Sequence, residues 1–230
     1  MPYVILIPSY EPDEQLINLL KEIDNKYPVV IVNDGSDKSF NRIFKEASQY
    51  AHIISYNENM GKGYALKTGL NYIDDTYDKY IVVTMDSDGQ HKLSDAIKLC
   101  NYIKEHNEQL ALGRRTWDKT MPLSSRLGNG ITRVIFKWMT KAKIYDTQSG
   151  LRAFSYKLTD YMLNIQGNRY EYEMNVLLNL KDSHIKYHEI KTATIYINNN
   201  EASHFNTIKD SYKIYKAIFK WHNHHRKVNK

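Results

Sequence analysis

Cysteine is nearly missing from this chain: one residue in 230, Cys100. That excludes a disulfide framework and a thiolate zinc site, and its helix-like surroundings make it core filler. No apolar run approaches the roughly 18 residues that a membrane span needs. The N-terminus enters a strand-like YVILIPSY directly, without a signal-peptide pattern, so a cytoplasmic protein is expected. Two phosphate-binding signatures are also missing. No GxxxxGK[ST] exists, and Gly61-x-Gly63 has Leu66 where a dinucleotide fingerprint needs a third glycine. P-loop and dinucleotide-oxidoreductase readings therefore weaken. There is no repeat, linker or low-complexity tract, and 42% hydrophobic residues suffice for the core of a single domain.

What the chain has in excess is positive charge. Lys and Arg number 32 against 26 Asp and Glu, a net +6, with the basic groups concentrated after residue 110. Phosphates, nucleic acid or an anionic membrane fit such a balance. The 19 tyrosines are dispersed through helix-like and strand-like segments rather than clustered for base stacking, so they read as amphipathic surface and core residues. Nucleic acid is not the expected partner.

Apolar runs at Tyr3 to Ile7, Val29 to Asn33, His52 to Tyr56 and Tyr80 to Met85 alternate with helix-like segments near 13–26, 38–50, 62–73 and 92–107. Runs apolar at nearly every position, such as Val29-Val30-Ile31-Val32, predict strands covered on both faces. The expected fold is α/β, Rossmann-like, with a mainly parallel central sheet and flanking helices. A fifth strand is expected at Gln109 to Gly113, then a polar loop holding Arg114, Arg115 and Arg126. Helices are expected at about 126–143, 155–165 and 169–180, with an alternating strand from Ile185 to Ile197.

Each early strand ends in polar residues: Pro8-Ser9-Tyr10-Glu11, Asn33-Asp34-Gly35-Ser36-Asp37, Asn57 to Gly63, and Asp86 to His91. In an open α/β sheet these carboxyl ends line one crevice. In the run Asp86-Ser87-Asp88-Gly89-Gln90-His91, the residues Asp86, Asp88 and Gln90 offer hard oxygen ligands at alternate positions, which suits Mg²⁺ or Mn²⁺. A purely structural reading is a strand-to-helix turn capped by Asp88 or Ser87. Asp34 could bond a base or ribose, Lys62 could meet a phosphate, and Gly61 and Gly63 allow close backbone approach. A common turn and an ordinary helix start explain the same residues.

In their order, the blocks Ile7-Pro8-Ser9-Tyr10-Glu11-Pro12, Val32-Asn33-Asp34-Gly35-Ser36, Asn59-Met60-Gly61-Lys62-Gly63-Tyr64 and Asp86 to His91 are joined by later ones. These are Gly113-Arg114-Arg115, Pro122 to Asn129, Asp146-Thr147-Gln148-Ser149-Gly150-Leu151-Arg152-Ala153-Phe154, Arg169 to Asn175 and Ser203-His204-Phe205. Together they resemble an inverting family 2 glycosyltransferase with the A-type fold. The later blocks are similar to the branch holding dolichyl-phosphate mannosyltransferase and bacterial polyprenyl-phosphate glycosyltransferases. The resemblance implies that Pro8, Tyr10, Glu11, Asp34, Lys62, Asp86 and Ser87 bind the nucleotide sugar, and that Asp86, Asp88 and Gln90 hold the metal. It places Arg115 and Arg126 at the lipid phosphate or donor diphosphate, and Asn129, Arg152 and His204 toward the acceptor. Arg114 stands where a small residue is usual, which leaves open which arginine acts. Asp146, Gln148, Arg152 and Glu173 fall in blocks that close over the sugar pocket. By the same resemblance, residues 1–206 form the catalytic domain, with a nucleotide-sugar half (1–113) and an acceptor half (114–206), followed by a basic helix and tail (207–230).

The reading is then a glycosyltransferase that loads a polyprenyl phosphate at the cytoplasmic membrane face, with Asp88, Asp146, Arg115 and Arg126 as the catalytic candidates. A phosphate attacker is anionic at neutral pH and needs no strong base, so the arginines serve as a clamp. The alternative acceptor is a sugar hydroxyl of a surface polysaccharide, which needs a carboxylate base from among Asp146, Glu171 and Glu173. A sugar nucleotidyltransferase is a further rival, but IPSYEP lacks the glycine-rich basic loop it would want. A non-catalytic adaptor would explain the charge but not the paired carboxylates. Membrane contact is expected through Ile208 to Trp221, where lysines 209, 213, 216 and 220 cluster on one helical face within about 60°. The helix near 131–143 groups Val134, Ile135, Trp138, Met139 and Ala142, which reads as core or acceptor-channel packing. A separate membrane partner of flippase type would be needed to carry the product across.

Overall fold

A computed structural model of the chain describes residues 1–116, 134–138, 140, 143–180, 182–193, 216, 218, 219 and 221. Seven strands form one sheet: β1 (Tyr3–Ser9), β2 (Val29–Asp34), β3 (His52–Tyr56), β4 (Ile81–Thr84), β5 (Gln109–Arg115), β6 (Arg152–Ser155) and β7 (Lys186–Thr192). Their spatial order is β3-β2-β1-β4-β6-β5-β7. The pairs β1–β2, β1–β4, β2–β3 and β5–β7 are parallel, while β6 runs antiparallel to both β4 and β5. The helices are α1 (Glu14–Ile23), α2 (Asn41–Ala47), α3 (Lys62–Thr76), α4 (Leu93–Glu105), α5 (Thr159–Asn164) and α6 (Glu171–Asn179).

The continuous apolar runs are explained by two cores, one on each face of the sheet. Val4, Leu6, Val30, Val32 and Val82 point to one face, where they meet Leu66, Leu70 and Ile73 of α3 and Met174 and Leu177 of α6. Ile5, Ile7, Val29, Ile31, Ile81 and Val83 alternate to the other and meet Leu16 and Leu20 of α1, Phe44 of α2 and Leu99 and Ile103 of α4. Cys100 fills this second core, as its helical setting predicts. Strands whose neighbours cover both faces need apolar residues at every position. β3 is the exception, because it lies at the sheet's edge and is only half-buried.

Chain direction matters for the site. From β1 the sheet grows outward through β2 and β3, then returns to add β4 on the other side of β1. The crevice of an open α/β sheet forms at such a reversal, at the carboxyl ends of the two flanking strands. Those ends are Ser9 to Glu11 and Met85 to Asp88.

β6 is an element the sequence does not announce. Its four residues include an arginine, and a strand so short carries no alternation to read. It wedges between β4 and β5, with Val82 opposite Phe154 and Ala111 opposite Ala153. Downstream, residues 134–138 and 140 are helical, with Phe136 and Thr140 buried and Val134 and Trp138 exposed. Of the expected 126–143 helix, residues 126–133, 139, 141 and 142 lie outside the described residues and Lys143 is not helical; 194–197 of the expected last strand also lie outside the described residues. Of the C-terminal segment, residues 216, 218, 219 and 221 are helical. Ile218 is fully buried in the core that holds α3 and α6, while Phe219 is exposed. Among the described residues no helix is long and apolar enough to cross a membrane.

Candidate active site

The site begins where β4 stops. Thr84 donates its hydroxyl hydrogen to the Gly150 carbonyl (2.6 Å), which ties the strand end to the segment that leads into β6. Asp86 follows, then Asp88, whose Oδ1 accepts the Gln90 N–H (3.0 Å) across a turn that Gly89 makes at φ 73°. Ser87 and Gln90 are half-buried beside them.

Asp86 is engaged by side chains on both of its oxygens. Lys62 Nζ lies 2.7 Å from its Oδ1, and His91 Nε2 lies 3.4 Å from its Oδ2. The same ammonium lies 3.0 Å from Glu173 Oε2, so one lysine from α3 bridges β4 and α6. Burial opposes the charge on Lys62, but the two carboxylates outweigh it and hold its pKa above the usual lysine value. Burial likewise works against the charge on Asp86, and Lys62 and His91 outweigh it, holding the acid well below the carboxylate range. Asp88 goes the other way: burial and repulsion from Asp86 raise its pKa. Gly150 completes this arrangement, since a Cβ there would stand 2.7 Å and 2.9 Å from the Asp86 carboxylate oxygens and 3.0 Å from Lys62 Nζ.

A divalent cation fits the chemistry of this donor set. Asp86, Asp88 and Glu173 face the Lys62 ammonium and the Arg152 guanidinium, three carboxylates against two cations before His91 is counted. The ligands are hard oxygens of the kind that suit Mg²⁺ or Mn²⁺. Among the described residues, no group of three or more His, Cys, Asp or Glu side chains is arranged to hold a metal ion.

On the β1–β2 side, Pro8 is buried and Tyr10 and Glu11 are half-exposed. Glu11 takes φ 48° and donates its N–H to Ser36 Oγ (2.8 Å), and a hydrogen bond to Glu11 raises the Tyr10 phenol pKa. Ser9 Oγ is buried without a hydrogen-bond partner. Asp34 is 3% exposed, and its carboxylate accepts from the Tyr56 hydroxyl (2.7 Å), Met60 N–H (2.8 Å) and Gly61 N–H (2.9 Å). The acid therefore fastens the loop that leads into α3. That loop packs tightly: a Cβ on Gly61 would stand 2.4 Å from Arg169 Cγ, and one on Gly63 would stand 2.5 Å from Tyr172 Cβ. The close approach these glycines allow is to the chain's own 168–172 segment. Tyr64 N–H donates to the Asn168 carbonyl (2.9 Å) across the same contact.

A second cation–carboxylate pair lies at the end of β5. Arg115 donates Nε–H to Asp146 Oδ2 (2.7 Å) and Nη2–H to Oδ1 (3.0 Å), and its backbone N–H adds a third bond (3.2 Å). Gln148 N–H supplies a fourth (3.1 Å). Although burial opposes its charge, the guanidinium holds Asp146 below the usual carboxylate pKa. Its neighbour Arg114 lies 4.7 Å over the Tyr145 ring. Arg152 is buried on β6, donating to the Ser149 carbonyl (3.2 Å) and the Glu173 carbonyl (2.9 Å). It thereby holds α6, and with it Glu173, over the strand end.

The structure thus gathers Asp86, Ser87, Asp88, Gln90, Lys62 and Arg152 around one strand end, with Pro8, Tyr10, Glu11 and Asp34 along the adjacent crevice. Arg115 and Asp146 engage each other nearby. Arg126, Asn129 and His204 lie outside the described residues. Sequence reading passes over the fastening groups Tyr56 and Gly150, and it does not pair Glu173 with Lys62. None of these residues carries a local signal for contacts that span so much chain.

Glycosyl transferase family 2 matches residues 4–163. An uncharacterized protein of Methanocaldococcus jannaschii is 29% identical, covering 93% of this chain and 90% of that one. The UDP-N-acetylglucosamine–dolichyl-phosphate N-acetylglucosaminyltransferase of Methanococcus voltae is 28% identical, covering 84% and 85%. Among solved structures, mannosyl-3-phosphoglycerate synthase from Rubrobacter xylanophilus superposes with a TM-score of 0.68 at 12% identity, covering 96% of this chain and 73% of that one. That likeness speaks for the A-type glycosyltransferase fold. Strand ends, sheet order and the span of the family match agree, and this glycosyltransferase belongs to glycosyl transferase family 2.

Proposed function

We propose that the chain transfers a sugar from a nucleoside-diphosphate donor to a polyprenyl phosphate at the inner face of the cell membrane, using Mg²⁺ or Mn²⁺. The observation that carries this reading is the pair Asp86 and Asp88, half-buried side by side at the β4 end. It occurs in a chain aligned over most of its length with a transferase whose name gives dolichyl phosphate as its acceptor.

In the reaction, an acceptor phosphate oxygen attacks the anomeric carbon while the bond to the donor diphosphate breaks, and the nucleoside diphosphate departs with the bonding electrons. The configuration inverts, and no proton need be removed from an oxygen that is already anionic. Tyr10, Glu11, Ser87 and the Asp34-anchored loop line the donor crevice, with Pro8 as its apolar wall. Asp86, Asp88 and Gln90 would hold the divalent ion, which when bound offsets charge on the departing diphosphate and stabilises the transition state by several kcal/mol. Lys62 adds a positive charge on the same side. Arg115 would orient the acceptor phosphate, as would Arg126, Asn129 and His204 by the family resemblance; Arg152 acts through α6.

Transfer to a sugar hydroxyl would demand a carboxylate able to take a proton. Asp146 is poorly suited, being saturated by Arg115 and two backbone N–H groups. Glu173 is paired with Lys62; Glu171 Oε1 accepts the N–H groups of Asn168 and Arg169, while its Oε2 is buried without a hydrogen-bond partner. The saturation of Asp146 and the pairing of Glu173 favour the phosphate acceptor. Membrane contact is supported by Val134 and Trp138, one helical turn apart, exposed and flanking the cationic Lys137; Trp138 is 73% exposed. Delivery to the far side would require a separate membrane partner.

The test is to incubate the protein with radiolabelled nucleotide sugars, Mn²⁺ and polyprenyl phosphate in vesicles. A chloroform-soluble sugar lipid that chelation abolishes is expected. Label appearing only in a water-soluble saccharide would overturn the acceptor assignment.

A further inference from the structure

We infer that the Lys62 ammonium is a resident counter-ion for Asp86 that a divalent cation must displace, with Glu173 as the carboxylate to which it withdraws. The inference rests on the reading that Asp86 and Asp88 take the metal.

Lys62 Nζ stands at hydrogen-bond distance from an oxygen of each carboxylate, 2.7 Å for Asp86 and 3.0 Å for Glu173. The two partners differ in what else surrounds them. Asp86 lies two residues from Asp88 in the turn after β4, with His91 Nε2 3.4 Å from its second oxygen, so that end of the bridge brings two carboxylates together. Glu173 stands on α6, whose placement is fixed by Arg152 bonding its carbonyl and by Tyr172 packing on Gly63. A dication at the Asp86–Asp88 end would repel the ammonium and compete with it for the Asp86 carboxylate. With only one carboxylate, displacement would strand a buried charge, which is costly. With Glu173 in place the ammonium keeps a partner after a short rotation of its own side chain.

The surrounding backbone confines the motion to that side chain. Lys62 opens α3 between Gly61 and Gly63, and both glycines are wedged against residues 168–172. Gly150 stands on the other flank, where the missing Cβ leaves the space that the Lys62–Asp86 contact occupies. Lys62 is therefore a positioning residue: before metal arrives it keeps the carboxylate pair from repelling itself apart, and afterwards it stands displaced toward Glu173.

Electron paramagnetic resonance titration with Mn²⁺ alone, without nucleotide, tests this. Lys62→Met should bind Mn²⁺ about tenfold more tightly than the wild type, the scale of one unit charge removed from a few ångströms away. Lys62→Arg, which keeps the charge, should show no such gain. Asp88→Asn separates the two layers of the argument. If Asp88→Asn weakens Mn²⁺ binding but Lys62→Met binds no more tightly than the wild type, the displacement is wrong and the metal reading stands. If neither the wild type nor Lys62→Met binds Mn²⁺, both fall. Should Lys62→Met not fold, the wild-type protein decides: the ¹⁵Nζ resonance of Lys62 must move on titration with diamagnetic Mg²⁺, and must not move in Asp88→Asn. A resonance unmoved in the Mg²⁺-saturated wild type would overturn the inference.

Discussion

The site contains two cation–carboxylate pairs, and they are built differently. Arg115 meets Asp146 through two parallel N–H bonds, and backbone N–H groups occupy what remains of the carboxylate. Lys62 meets Asp86 through one contact and spends the same charge on Glu173. A planar guanidinium fixed in a fork gives rigidity, whereas an ammonium on a flexible stem can exchange partners. The contrast divides the site into a fixed frame around β5 and an adjustable centre around β4.

Breaking the centre should have the largest effect. Asp88→Asn is expected to lower transfer by about a hundredfold or more, in line with losing a preorganised charge-stabilising group, while thermal melting stays near the wild type. Turnover and melting measured on the same preparation check both halves of that statement. Breaking the frame should instead cost stability: Arg115→Ala leaves Asp146 buried without its cation, a loss of about 3–5 kcal/mol in denaturant unfolding. Arg115→Lys keeps the charge and should recover only part of it.

Gly150→Ala sharpens the comparison. The atoms its Cβ would press on are the movable ends of Asp86 and Lys62, so the fold can yield while the centre shifts. Mn²⁺ binding should weaken by several-fold, about the effect of misplacing one ligand, with a melting point close to wild type. A large melting loss without a binding change would place the strain in the frame.

Acid titration distinguishes the frame more gently. The pKa of Asp146 is lower folded than unfolded, so below the ordinary carboxylate value of 3.8 the unfolded chain takes up protons that the folded one refuses. The stability from this pair is therefore complete above that pH and declines as pH falls toward the depressed folded value. Asp146→Asn should flatten that part of the curve in pH-dependent unfolding. The smallest effect expected is on membrane association, where Trp138→Ser should weaken binding to anionic vesicles by about threefold in a sedimentation assay. Truncation before residue 207 is a poorer probe, because it would also remove Ile218 from the core.

Legibility in the sequence follows the range of the interactions. The strands and helices of the first half announce themselves because apolar period and strand-end polarity are local, and Asp86 to His91 stands out for the same reason. β6 does not, because a four-residue strand holding Arg152 draws its stability from the neighbours it finds. Asp34 is visible as a residue, but its work of anchoring Met60 and Gly61 depends on a loop 26 positions away. The Lys62–Glu173 contact, across more than a hundred residues, leaves no pattern that spacing could reveal.

The position of β6 also constrains the order in which the chain can assemble. While the chain is being synthesised, β1 through β4 are available before the strand that must lie against β4 exists, and β5 emerges with its eventual seat still one strand away. Until Arg152 to Ser155 arrive, the free edge of β4 invites the wrong neighbour. Lys62, meanwhile, has Asp86 but not Glu173. The strand ends that line the crevice are thus written early in the chain, and the side-chain cluster around them closes only when the last third has folded back over it.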